Sequence, residues 1–67
     1  MDEIDIWRAA GQLVKMYGLE DAALTAAKRA DALLDQGDVD GFHVWKRVTA
    51  AISDLGKTGP AEGEPVN

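Results

Sequence analysis

Residues 33–45 read LLDQGDVDGFHVW, and this stretch decides the fold. Leu33 and Leu34 end an apolar periodic run. Gly37 follows, a residue that enters the left-handed backbone region without steric cost and so stops helices. Asp38 then offers a carboxylate to the unsatisfied amides of a new helix, and Asp40 adds negative charge to its first turn. Phe42 and Trp45 open the next periodic run. Gly37-Asp38 leaves almost no loop, so the two helices pack as an antiparallel hairpin or cross at an angle.

Downstream of this junction, steps of three and four residues link Phe42, Trp45, Val48, Thr49, Ile52 and Leu55, with Val44 and Ala51 widening the stripe. An apolar arc of roughly half the circumference suits a helix that touches two neighbours. The spacing predicts this helix over 39–55, closed by Gly56. Upstream, a helix is expected from Leu19 or Glu20 to Gln36, with Glu20 and Asp21 in its first turn. Its buried stripe is predicted as Ala23, Ala26, Ala27, Ala30, Leu33 and Leu34. A first helix is expected over 3–17, with Asp2 as its cap and Gly18 as its stop. Ile6, Trp7, Ala10, Leu13, Val14 and Tyr17 form its apolar face.

Caps, period and stops mark the same three segments, so the expected fold is all-α, a compact three-helix bundle over residues 1–56. Trp7 and Trp45 are the largest candidate core side chains. From Lys57 the chain turns to Gly, Pro and Glu without apolar period, and 57–67 is expected to be a disordered tail.

The chain has 67 residues and no cysteine, so one small core must stabilise it without disulfides. Tight packing, or association with a copy or a partner, then supplies the stability. The net charge of −5 opposes binding to phosphates and to anionic membranes and favours solubility or a basic partner. The acidic start Met1-Asp2-Glu3-Ile4-Asp5 is unlike a signal peptide, and no apolar stretch is long enough to span a membrane. Together with the lack of cysteine, this fits a cytoplasmic protein.

Motifs for chemistry are absent. Gln36 to Gly41 resembles the middle of a calcium loop, but the required carboxylates fall on Gln36 and Arg47, so the pattern fails. Asp38 is better read as a cap, with Gly41 permitting close packing. His43 has no cysteine or second histidine to complete a metal site, and it shares the polar side of its helix with Lys46 and Arg47. His43 and the pair Ser53-Asp54 lie about 15 Å apart along one helix, too far for a triad. No catalytic constellation and no cofactor are expected.

Three features bear on binding. Leu24 lies off the alanine stripe, on the charged side of its helix, and Met16 and Phe42 sit at the edges of their own faces. These three are the candidate apolar interface for a partner or for a second copy. The acids Glu20, Asp21, Asp31, Asp35, Asp38 and Asp40 form a candidate negative patch, interrupted by Lys28 and Arg29. His43, Lys46 and Arg47 would be the basic patch of a helix-turn-helix, a thin one on an acidic chain.

From Ile6 to Leu55 the chain resembles a family of short, uncharacterised bacterial proteins, a domain of unknown function. The resemblance rests on Ile6-Trp7, Tyr17-Gly18, Asp21-Ala22-Ala23, Arg29-Ala30-Asp31-Ala32-Leu33-Leu34, Gly37-Asp38, Gly41 and Trp45. Leu19 stands as an extra residue against that family's tight glycine-to-acid junction, which would lengthen the first connection. The resemblance implies a bacterial, cytoplasmic origin and no mechanism. Ala32-Leu33-Leu34 with Gly37-Asp38 also resembles one tetratricopeptide helix pair, but a single repeat cannot bury its own faces.

The function expected from these features is a non-enzymatic protein-interaction module, self-associating or binding a protein partner. One alternative is an acidic inhibitor that blocks a basic, nucleic-acid-binding groove, in the manner of phage anti-CRISPR proteins. A second is a small DNA-binding regulator.

Overall fold

A computed structural model describes residues 2–58 of the chain. It holds three helices, α1 (Glu3–Tyr17), α2 (Leu19–Asp35) and α3 (Val39–Thr58), and all three pairs pack against one another. The α2–α3 pair makes the most extensive contact. It is an antiparallel hairpin: Leu19 lies beside Gly56 and, about ten residues further along each helix, Arg29 lies over Trp45. The architecture is the three-helix bundle expected from the apolar period.

The junctions explain why the bundle is so tightly strung. Gly18 alone joins α1 to α2, with φ 87° and ψ 163°, a region open almost only to glycine. Its amide donates to the Val14 carbonyl and its own carbonyl accepts from Ala22, so one residue ends one helix and starts the next. Leu19 does not lengthen this connection; it is the first residue of α2. At the other junction, Gly37 has φ 85°. Its amide donates to the Leu34 carbonyl and that of Asp38 to the Leu33 carbonyl, the paired bonds of a Schellman stop. Asp38 then caps α3: its Oδ1 accepts from the Gly41 amide at 2.9 Å. A Cβ on Gly41 would stand 2.6 Å from Asp38 Oδ2, so the bare glycine makes room for the cap rather than for another helix. Asp2 differs from expectation. Its carboxylate makes no capping bond, and its backbone carbonyl accepts from Asp5 and Ile6 instead.

The core is Ile6 and Ala10 of α1, Ala22 and Ala26 of α2, and Val48, Ala51 and Ile52 of α3. Four of these seven are alanine, so the helices approach closely and each position buries little area. The largest fully buried side chains are Ile52 and Val48. The half-buried Thr49 sits in the apolar stripe of α3 because its hydroxyl donates to the Trp45 carbonyl.

Several sequence expectations shift by one helical step. The buried line of α2 is Ala22, Ala26 and Ala30, continued by the half-buried Leu33; Leu34, 100° further round, is exposed. On α1, Ile6 and Ala10 point inward, which turns Trp7 to the edge, where it is 40% exposed. Trp7 is therefore not a core residue. Tyr17 shares the inward direction but sits at the helix end and is also exposed. Trp45 is half-buried and packs on the core. Gly56 does not close α3, which continues to Thr58. A Cβ there would be 3.3 Å from Leu19 Cδ1, so this glycine serves the close packing of α2. Residues 59–67, most of the expected tail, lie outside the described residues.

Candidate functional site

Two exposed faces stand out once the core is assigned. The first lies between α1 and α3. Glu3, Ile6 and Trp7 form one bank and Arg47, Ala50, Ala51 and Asp54 the other, around an open groove of about 150 Å³. Trp7 forms its apolar wall, and Ile4, one turn before, is 66% exposed. The charged rim carries both signs, with Glu3 and Asp54 against Arg47. Sequence reasoning assigned Trp7 to the core and so passed over this groove. The signal was present: Ile4 and Trp7, three residues apart, repeat on the flank of α1 outside the line of Ile6 and Ala10.

The second face is the outer side of α2. Leu24 is 53% and Leu34 47% exposed. They fall on one stripe with Ala27 and Asp31, through steps of three, four and three residues. Glu20 lies one turn before Leu24, and Asp35 lies beside Leu34. All six acids of the expected negative patch are exposed. The two cations thought to interrupt it behave differently. Arg29 stays exposed on the α3 side of α2, its guanidinium carbon 4.9 Å from the centre of the Trp45 ring. Lys28 alone is left as the cation of the outer stripe.

Of the expected trio Leu24, Met16 and Phe42, the first and last lie apart along α2. Leu24 is on the outside of α2. Met16 is exposed near the end of α1. Phe42 is half-buried at the start of α3, level with the far end of α2. Along α2, that places Phe42 roughly 13 Å from Leu24.

The expected basic patch is also divided. Lys46 Nζ lies 5.9 Å from the centre of the Phe42 ring, and His43 packs against that ring at 5.3 Å. Arg47 stands on the groove of α1 and α3 instead. His43 and Lys46 thus share one neighbour, Phe42, and Arg47 alone faces a different one. Compared with models of known protein families, with curated proteins and with solved structures, the chain finds no match in any of the three.

Proposed function

We propose that the chain is a non-enzymatic protein-interaction module whose principal docking site is the Trp7 groove. The observation that carries this reading is the position of Trp7. In a domain with so small a core, its largest side chain type would gain most by burial, yet Trp7 walls an open groove beside the exposed Ile4. Tryptophans placed this way, with a charged rim, are the common anchors of protein interfaces. A rim of mixed sign suits a second copy as well as a foreign partner, because a two-fold axis can set Arg47 against a carboxylate of the other copy.

Sedimentation equilibrium of the full chain over a wide concentration range, beside Trp7→Gln, tests self-association through this groove. Wild type is expected to gain mass with concentration and Trp7→Gln to remain a monomer. A wild-type monomer throughout would remove self-association and leave the foreign partner. An unchanged Trp7→Gln dimer would remove the groove.

The acidic-inhibitor reading is favoured by one observation, the placement of the exposed Arg29 over Trp45, away from the acids of the outer stripe. A binder of that kind weakens steeply with salt, since exposed charges are screened over about 10 Å at moderate ionic strength.

A further inference from the structure

We infer that the outer face of α2 docks a cationic amphipathic helix of a partner protein, with Leu24 and Leu34 as its apolar anchors. The inference rests on the interaction-module reading and adds a second face and the chemistry of its occupant. Leu24 and Leu34 are about half exposed and lie on one stripe. They are ten residues apart, about 15 Å along the axis, which is the spacing two apolar rows of a facing helix would meet. Among the described residues both side chains stay about half exposed, because α2 turns its alanine line toward α1 and α3.

Charge selects the occupant. Glu20, Asp31 and Asp35 surround the two leucines, and all are exposed. Arg29 lies about 140° round the helix from Leu24, over Trp45 of α3, and Lys28 is the one cation of the stripe. A second copy brought face to face would set these acids against their own kind, which costs affinity, so this stripe disfavours self-pairing. A helix carrying lysine or arginine beside a leucine row satisfies both parts of the surface. Phosphate ligands are opposed by the same charge, and an acidic helix is opposed as well.

The test uses the full chain and a fluorescein-labelled Leu/Lys amphipathic peptide of about five helical turns. Two controls keep the length: one carries Glu in place of Lys, the other Ser in place of Leu. Anisotropy titrations are expected to show binding of the Leu/Lys peptide alone. Leu24→Gln with Leu34→Gln should weaken it about tenfold or more, equal to about 1.4 kcal/mol. Asp31→Asn with Asp35→Asn should weaken it and flatten its salt dependence, while Trp7→Gln should leave it unchanged. Both pairs are exposed, and circular dichroism checks that each still folds. Equal binding of the Lys/Ser peptide, or an unchanged affinity in the double leucine variant, would overturn the proposal. Loss of binding in Trp7→Gln alone would overturn this face and leave the module reading standing. Failure of every peptide would also overturn the face, and the sedimentation experiment still judges the Trp7 groove separately.

Discussion

The guanidinium carbon of Arg29 lies 4.9 Å from the centroid of the Trp45 ring, and this contact joins α2 to α3 at the surface end of the core. Both residues gain from it. The cation meets the electron-rich face of the indole, and the ring is shielded from water on one side. Such pairs contribute about 0.5–1 kcal/mol where solvent still reaches them. Arg29→Gln is therefore expected to lower stability by about that amount. In a Trp7→Phe background it should also shift the remaining tryptophan emission to the red. Urea denaturation followed by fluorescence reads both, and no change in either would mean that Arg29 does not rest on the Trp45 ring.

Trp7 and Ile52 should exchange the roles that side-chain size suggests. Ile52 is 1% exposed, and truncating a buried isoleucine to alanine costs about 2–5 kcal/mol. That is most of the stability expected of so small a domain, on the order of 5 kcal/mol. Ile52→Ala is expected to abolish the cooperative thermal transition. Trp7→Ala removes far more atoms yet should keep a sharp transition, with a loss well below that of Ile52→Ala. Thermal scans by circular dichroism decide it, and the reverse order would return Trp7 to the core.

Gly11 and Gly56 make a second matched pair. Both are inside helices, where alanine is favoured over glycine by about 0.5–1 kcal/mol. A Cβ at Gly11 would meet nothing within 4 Å, whereas at Gly56 it would press on Leu19 Cδ1 at 3.3 Å. Gly11→Ala should raise stability by about the propensity difference. Gly56→Ala should gain less or lose, because Leu19 has to move. The midpoints of urea unfolding for the two variants give the comparison.

At the two junctions, the backbone rather than packing sets the outcome. Gly18→Ala forces a side chain into a φ of 87° with ψ 163°, at a cost of about 1–3 kcal/mol. Gly37 ends α2 in a Schellman stop, a place asparagine can also fill, so Gly37→Asn should cost less than Gly18→Ala. Asp38→Ala removes the cap on Gly41 and should cost about 1 kcal/mol, most of it regained by Asp38→Ser. Melting temperatures of the four variants, measured together, test the ranking.

The three helices and the junctions between them were legible because those ends carry local chemistry, such as the Gly37 stop and the Asp38 cap, that acts without reference to the rest of the fold. The inward direction of each helix was less legible. Alanine differs too little from its neighbours to mark the buried line, so the pattern finds Ala26, Ala30 and Leu33 but takes Ala23 in place of Ala22. The same weakness placed Trp7 inside, since size and hydrophobicity argue for burial while a core of methyl groups has no space for an indole. Gly56 was read as a stop because its sequence context cannot reveal that Leu19 lies against it. The exposure of Leu24 was legible from its place among charges, but the contact of Arg29 with Trp45 required the packing of α2 on α3.

The alanines buried along all three helices have a thermodynamic consequence. Heat capacity of unfolding follows the apolar surface released into water, about 12–15 cal/mol/K per residue in ordinary domains. Ala10, Ala22, Ala26, Ala30 and Ala51 release one methyl group each, so this chain should fall at or below the low end of that range. A small heat capacity flattens the stability curve. The domain would then be modestly stable over an unusually broad span of temperature, losing little on cooling.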